Sequence, residues 1–372
     1  MQATRPAVEV SVTAPPRRRR IVAMLNLVFL VLGLILFVLL VLKLDTAEVG
    51  LRLRGLGWGF VGLMILFVLG ALVSTAAWRS VIDPARSRAR FIDLLVAFWA
   101  GSAVNAVTPG GTFGEVFRGT LMRDKVDSEE IVASLVIFNF MGYVSMLLFN
   151  LLGPLLCLLL LDLPLRVVAV VFVLSLAFFL PCGLVYFFLR RGAAGIVVAV
   201  IRRLPLVRLR DPAGLLEKAH RIDRCIAEFR IRRPRQFAAA VAWLAVARLV
   251  QAADYLVLLP ALVPGRSLLW LGLVTLLIHS TSQLLSWALT FIPSQIGVAE
   301  GKTALLFRLL GFDPVVGLTM EIVRHLRAVI GIALGLLLGW ITVLLRHRAA
   351  ARQLQGNVHV ARGARGTSHA AS

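Results

Sequence analysis

Hydrophobic positions along the chain fall into long runs that contain no charged residue. A helix needs about 20 apolar residues to cross the roughly 30 Å of hydrocarbon in a bilayer, and backbone amides in lipid must be satisfied within their own segment. The alternation that marks barrel strands is absent from the sequence. We therefore predict an all-α, polytopic membrane protein. The runs are 21–42, 55–78, 94–114, 131–161, 167–189, 267–299 and 328–345.

Composition and the placement of charge extend this prediction. Hydrophobic residues make up 59% of the chain, against about 45–50% in a soluble domain. Lys and Arg number 5 in segment 1–20, 13 in segment 190–235 and 5 in segment 346–372, within a net charge of +21. Cytoplasmic segments carry the excess of Lys and Arg. We therefore predict an integral protein of the plasma (bacterial inner) membrane with both termini in the cytoplasm.

Charge and cysteine content also bear on partners. Basic segments beside so many spans predict contact with membrane lipids that carry anionic headgroups, and no nucleic-acid partner is expected. Enzymes of lipid synthesis are candidate partners, and the oligomeric state stays open.

The cysteines at 157, 182 and 225 lack the spacing of a metal or redox motif. No metal and no cofactor are therefore expected.

The chain divides into three predicted regions. A basic cytoplasmic tail over 1–20 precedes a transmembrane domain over 21–348, and the polar, glycine-containing tail over 349–372 is predicted to be disordered. Within the domain, 190–235 is predicted to be a cytoplasmic basic loop. Apolar residues at helical spacing in 213–231 predict an amphipathic helix there. That helix either rests on the inner leaflet or packs on the protein's own cytoplasmic end.

Segment 91–122 is interpreted from the parity of membrane crossings. It is interrupted by Pro109, Gly110 and Gly111, where a helix breaks. If the segment crossed only once, the basic loop 190–235 would lie outside, against the distribution of charge. We therefore predict a re-entrant helical hairpin that is open on the cytoplasmic side. An ordinary kinked helix is the alternative.

The second half of the chain repeats this pattern. A break with Pro293 and Gly297 interrupts 268–310, and parity favours a hairpin that is open on the opposite side. We predict an inverted repeat with two re-entrant helical hairpins, an architecture of many transporters in which discontinuous helices meet near the midplane. The two units consist of 55–78, 91–122 and 131–152, and of 236–260, 268–310 and 315–345.

Charged residues inside the apolar segments are the candidate functional groups. Each costs about 2.5–3.5 kcal/mol on insertion scales, so it must face a polar interior or pair with another charge. We interpret the set as a hydrophilic cavity that accepts a charged headgroup, with arginine holding phosphate. The alternative is a set of interhelical ion pairs that only fix packing. The residues are Glu115, Arg118, Arg248, Asp254, Glu300, Lys302, Arg308, Glu321, Arg324 and Arg327.

Each break is followed by small residues and then by a glutamate. Gly114 precedes Glu115 in the first segment, and Gly297 lies three residues before Glu300 in the second. A helix start exposes amide donors, which can bind an anion. A glutamate at such a position can equally be a structural cap, and both interpretations stay open.

Taken together, these motifs resemble one family. The resemblance is to the flippase-like transmembrane domain of lysylphosphatidylglycerol synthases, with its stand-alone and hopanoid-cluster relatives, and it covers roughly residues 20–348. Either motif alone would be weak, whereas both at this separation are fairly specific. The residues that carry it are Asn105, Pro109, Gly110, Gly111, Gly114, Glu115, Arg118, Pro293, Gly297, Val298, Glu300, Gly301, Arg324 and Arg327.

The resemblance implies a multi-span fold that moves a polar lipid between leaflets as a flippase or scramblase. It makes Glu115, Arg118, Glu300 and either Arg324 or Arg327 candidates for functional positions. The synthases carry a soluble aminoacyl-transfer domain, which this chain has no room for, so aminoacylation is not expected. Two other functions stay open. One is an intramembrane enzyme acting on a lipid-linked substrate, against which the lack of a nucleophile–base or metal motif counts. The other is a scaffold of a lipid-synthesis complex.

Overall fold

The computed structural model describes residues 57–108, 113–160, 233–288 and 298–368, with scattered positions between 165 and 229. The continuous stretches are helical, and an isolated β-bridge between Ser87 and Val126 joins two of their loops. A short 3₁₀-helix covers Pro84–Arg86. The α-helices are α1 (Trp58–Val81), α2 (Phe91–Val107), α3 (Phe113–Met122), α4 (Ser128–Leu160), α5 (Pro234–Leu262), α6 (Leu268–Ala288), α7 (Val298–Leu309) and α8 (Pro314–Ser368).

Five of the described helices, α1, α4, α5, α6 and α8, are long and apolar enough to cross a bilayer. Helix α2 is apolar but has 17 residues, which is about 26 Å of helix. The protein is therefore an all-helical, multi-pass membrane protein, as its charge-free runs predict. The predicted span 21–42 and most of 165–189 lie outside the described residues.

Helices α1 and α5 pack antiparallel and define the two ends of the bundle. A Cβ atom on Gly62 would lie 3.7 Å from Val257, and one on Gly70 would lie 3.8 Å from Val250. We call the end of α1 and the start of α5 the basal end. The opposite end, where α5 gives way to α6 and α7 to α8, is the apical end.

Helices α2 and α3 form an antiparallel pair. Lys125, beyond α3, contacts Asp93 in the first turn of α2 at 2.5 Å, and Gly114 near the start of α3 lies against Gly101. A Cβ atom on Gly114 would lie 1.9 Å from the carbonyl oxygen of Gly101, so this approach requires glycine. Residues 109–112, which join the two helices, lie outside the described residues.

This first pair opens at the basal end. The loop before α2 and the loop after α3 are joined there, since the Arg88 amide donates to the Lys125 carbonyl at 2.7 Å and the Asp127 amide donates to the Arg86 carbonyl at 3.2 Å. The same loop contains Asp83, which follows α1. The end of α2 at Val107 and the start of α3 at Phe113 therefore lie away from the basal end.

Helices α6 and α7 form a second antiparallel pair. Lys302 of α7 donates to the Ser282 carbonyl of α6 at 3.3 Å. Trp270, near the start of α6, and Phe312, beyond α7, have ring centroids 5.6 Å apart. The start of α6 and the end of α7 therefore meet at the apical end, opposite the end at which the first pair joins its neighbouring loops. Residues 289–297, between α6 and α7, lie outside the described residues.

Helix α8 differs from the sequence prediction at its far end. Its 55 residues continue to Ser368, whereas disorder is predicted from residue 349. Residues 349–354 are Ala, Arg, Gln and Leu, which are good helix formers, and Pro is absent from 346–368. A helix that already spans the bundle supplies its nucleus, so it can extend without the cost of starting a new one.

Described positions between 217 and 229 pack against the basal end. Arg221 lies 3.5 Å from Glu129 of α4, Cys225 accepts a hydrogen bond from Arg86 at 3.1 Å, and the Phe229 side chain is buried. These contacts favour the second of the two predicted placements of an amphipathic segment, on the protein's own end.

Candidate functional site: the central cavity

A cavity of about 290 Å³ lies between α1, α2, α5, α6 and α8, near mid-height of the bundle. Its walls combine aromatic faces with amides, hydroxyls and three charged side chains, the mixture that is usual for a small-molecule site. The lining residues are Leu66, Phe67, Gly70, Ala71, Ser74, Phe98, Trp99, Ser102, Gln251, Asp254, Gln283, Arg324 and Arg327.

Three charged side chains share the wall formed by α5 and α8. Arg327 donates from Nη1 to Asp254 Oδ2, and Arg324 Nε lies 3.9 Å from the same oxygen. Asp254 is 1% exposed, and a carboxylate so buried needs cationic partners. The two arginines hold this carboxylate between them, and Arg324 also pairs with Glu321, so the charges of this group balance while both guanidinium groups still line the cavity.

Arg324 ties three helices together at this height. Its Nη1 donates to Glu321 Oε2 at 2.9 Å and to the Tyr255 hydroxyl, and its guanidinium lies 4.3 Å from the centroid of the Tyr255 ring. The Tyr255 hydroxyl is 3.5 Å from Ser282 Oγ of α6. We refer to Asp254, Tyr255, Glu321, Arg324 and Arg327 as the α5–α8 cluster.

Glu115 and Arg118 stand behind the opposite wall. Arg118 Nη1 donates to both carboxylate oxygens of Glu115 at 3.0 and 3.1 Å, and its Nη2 donates to Ser102 Oγ at 2.8 Å. The guanidinium lies over the Phe98 ring at 4.4 Å. Ser102 and Phe98 line the cavity, so Arg118 positions two lining residues.

Asn105 completes the network at the inner end of this helix pair. Its Oδ1 accepts from the Gly114 amide at 2.6 Å, and its Nδ2 donates to Glu115 Oε1 at 3.2 Å. Polar networks of this kind rigidify the elements that they join. We refer to Ser102, Asn105, Glu115 and Arg118 as the α2–α3 cluster.

The remaining predicted site residues are spread more widely. Arg248 of α5 donates to Gln251 Oε1 at 3.3 Å and to the Gly142 carbonyl of α4 at 3.4 Å, so it supports a lining amide from outside the cavity. The Glu300 position lies in α7, and its side chain is outside the described residues. The predicted break residues Pro109, Gly110, Gly111, Pro293 and Gly297 are also outside them.

Sequence reasoning did not identify Phe67, Ser74, Trp99 and Ser102 as lining residues. The serines had a weak signal, because a hydroxyl within an apolar run must find a partner. The aromatic residues had none, since Phe and Trp are ordinary members of a membrane helix. Phe67 matters because Arg327 lies 5.3 Å from its ring centroid.

The side chains that line the cavity can bind a ligand through ion pairs and hydrogen bonds. Guanidinium groups bind phosphate or carboxylate through parallel donors, and the two amides add donors and acceptors. Within the described residues, no group of three His, Cys, Asp or Glu side chains could hold a metal ion.

A separate ion pair lies at the basal end, between Asp83 and Arg233. Asp83 accepts from Arg233 and from the Ala85 amide at 3.0 Å. Partial burial raises the pKa of the Asp83 carboxyl, but these two donors and the nearby Arg86 outweigh burial, so its pKa lies below the ordinary value of 3.8. The pair joins the end of α1 to the start of α5.

Comparison with known proteins gives one match. Residues 25–339 match the family model described as Lysylphosphatidylglycerol synthase TM region. That range includes both helix pairs and every residue that lines the central cavity. The chain matches no curated protein and no solved structure at a significant level.

Proposed function

Because the chain belongs to the family of the lysylphosphatidylglycerol synthase TM region, we propose that it moves a phosphate-bearing lipid headgroup between leaflets, as a flippase or scramblase. The observation that carries this proposal is the central cavity, where Arg324 and Arg327 face a polar space at mid-height of a bundle of spanning helices. A charged headgroup crossing a bilayer needs such a space, because hydrocarbon offers it no hydrogen bonds.

The proposed architecture is an inverted repeat with two re-entrant hairpins, α2–α3 and α6–α7. It is supported by the contacts that open the first pair at the basal end and the second at the apical end. In transporters built this way, the substrate site lies where the discontinuous helices meet near the midplane. The central cavity has the corresponding position, between α2 of the first pair and α6 of the second.

In this mechanism the α5–α8 cluster binds the headgroup. While the cavity is free of lipid, Asp254 accepts from the guanidinium group of Arg327 and lies near that of Arg324. When a lipid enters, its phosphate accepts some of the hydrogen bonds that these two groups donate. Gln251 and Gln283 contact the polar groups beside the phosphate. Glu115 and Arg118 act as positioning residues, since Arg118 reaches the cavity through Ser102 and Phe98.

We further propose that the basal end faces the cytoplasm of a bacterial inner membrane, with both termini on that side. The exposed arginines of the basal loops support this orientation, as Arg88, Arg90 and Arg123 all lie there, and Lys and Arg accumulate on the cytoplasmic side.

The experiment is translocation of fluorescent phospholipids in proteoliposomes, with anionic and zwitterionic headgroups in parallel. We expect Arg324→Gln and Gln283→Leu to slow translocation by at least roughly tenfold, the loss of one charge-assisted or buried hydrogen bond. Arg266→Gln is the matched control, because Arg266 lies over Trp270 at the apical end, away from the cavity.

Folding of each variant is checked by its unfolding temperature in the same detergent. Equal translocation by wild type and both cavity variants would remove the assignment of the cavity. If the folded wild type moved none of the lipids, transport itself would be wrong, and assays for lipid-linked turnover and for association with synthesis enzymes would follow.

A further inference from the structure

A second recess lies at the basal end, apart from the central cavity. It is a groove of about 370 Å³ between α2, α3 and α8, and it shares no lining residue with the cavity. Its floor is formed by the buried side chains of Ala97, Leu121 and Met122, while Ile92 and Leu345 flank it with more than half of their surface exposed. The groove is thus an apolar slot on the outside of the bundle.

The surface of this groove is mainly apolar: its charged lining residues are Asp93, Lys125 and Arg346, and its one hydroxyl is already satisfied. Thr342 Oγ1 donates to the Leu338 carbonyl at 2.7 Å. Such a surface is complementary to a hydrocarbon chain, which packs against it without leaving a polar group unpaired. In a membrane protein, lipid tails are the hydrocarbon that reaches this face.

Basic residues form the rim of the groove. Lys125 pairs with Asp93 at 2.5 Å, and Arg346 donates to the carbonyls at the end of α3 and lies 3.6 Å from Asp124. Arg88 is beside Lys125, because its amide donates to the Lys125 carbonyl.

Two arginines lie beside the rim, because Arg88 is joined to Lys125 through the backbone and Arg123 directly follows the lining residue Met122. The side chains of Arg88 and Arg123 are exposed. The nearby carboxylates are paired with other cations, Asp93 with Lys125 and Asp124 with Arg346. The rim therefore has an excess of positive charge beside the mouth of an apolar slot. A positively charged rim beside an apolar slot is complementary to a molecule that has an anionic head and a hydrocarbon tail.

We propose that the groove binds an anionic phospholipid of the surrounding bilayer, with an acyl chain in the slot and the phosphate on the rim of Arg88, Arg123, Lys125 and Arg346. This lipid is bound rather than transported, because the groove is separate from the cavity. It contacts α2 and α3 on one side and α8 on the other, so its binding stabilises the contact between the first helix pair and the last helix.

The test is lipid retention by the full-length protein, measured by native mass spectrometry after exchange into detergent with defined lipids. The probes are phosphatidylglycerol and phosphatidylcholine of the same chain length. We expect phosphatidylglycerol to be retained preferentially. A basic residue near the surface contributes about 1 kcal/mol to binding an anionic lipid, or roughly fivefold in affinity, so Arg88→Gln with Arg123→Gln should weaken retention roughly 25-fold.

A second variant separates the slot from the rim. Val96→Trp fills the groove and should lower the number of retained phosphatidylglycerol molecules by one with the rim intact, because the central cavity can still bind its own lipid. Ile65→Trp is the matched control, since Ile65 is an exposed apolar residue of α1 outside the groove. Equal retention of the two lipids, or retention that neither the double arginine variant nor Val96→Trp reduces, would overturn the proposal. Translocation in proteoliposomes is read separately, so failure here leaves the function of the cavity untouched.

Discussion

The two charge clusters near the central cavity are built in different ways. The α2–α3 cluster joins residues within one helix pair, and Glu115 has two partners there, Arg118 and Asn105. The α5–α8 cluster joins helices that are far apart in the chain, and Asp254 depends on two arginines of α8. In the first cluster only Ser102 lines the cavity and the charged residues lie behind it, whereas three charged residues of the second cluster line the cavity directly. Loss of a charge should therefore cost more in the second cluster.

Removing Arg327 is expected to have the largest effect. Arg327→Met leaves Asp254 buried without its closest cation, and breaking a buried pair this way costs about 3–5 kcal/mol. Arg118→Met should cost less, about 1–3 kcal/mol, because Glu115 keeps Asn105 and is partly exposed. The measurement is the unfolding midpoint of each variant in the same detergent.

A double variant sharpens this comparison. Asp254→Asn with Arg327→Gln removes both charges and should recover much of the stability that Arg327→Met loses, since no unpaired charge remains. Equal destabilisation by Arg327→Met and Arg118→Met would show that the two clusters do not differ as their geometry indicates.

The same contrast explains how much of the site the sequence predicts. Charges inside apolar runs are visible in the sequence, so Arg118, Asp254, Arg324 and Arg327 are identified from the cost of burial alone. Which of them face a shared space depends on helices that meet across the chain. That is why Arg324 lines the cavity and Arg118 does not, although both look alike in the sequence.

The fold shows a similar division. The helical type of the described segments follows from the apolar runs, whereas the predicted break residues lie outside the described residues. The extension of α8 beyond residue 348 did not follow, because a polar, glycine-containing segment reads as disordered when taken alone. Continuity with a spanning helix, which changes the cost of forming its next turn, is not visible in local composition.

The close approach of α2 and α3 gives a further prediction. Gly114→Ala would place a methyl group against the Gly101 carbonyl and Asn105, and we expect a loss of about 1–3 kcal/mol by overpacking. Gly142→Ala is the control, as a Cβ atom there meets nothing within 4 Å and alanine favours a helix. The unfolding midpoint should fall for the first variant and hold or rise for the second. A tolerated Gly114→Ala would mean that the α2–α3 cluster is looser than its contacts indicate.

The smallest expected effect concerns the basal ion pair, which lies outside both clusters. Asp83→Asn keeps the oxygen that accepts from the Ala85 amide but loses the charge that pairs with Arg233, so the expected cost is about 1 kcal/mol or less.

Because the pKa of Asp83 is lowered in the folded protein, the contribution of the ion pair to stability is complete above the ordinary value of 3.8 and is lost as the pH falls through the lower folded value. The difference in unfolding midpoint between wild type and Asp83→Asn should therefore be constant at neutral pH and shrink in acid. Asp124→Asn, whose carboxylate is mostly exposed, should show almost no difference at any pH. A difference for Asp83→Asn that grew in acid would reverse the sign of this argument and remove the pair as a link between α1 and α5.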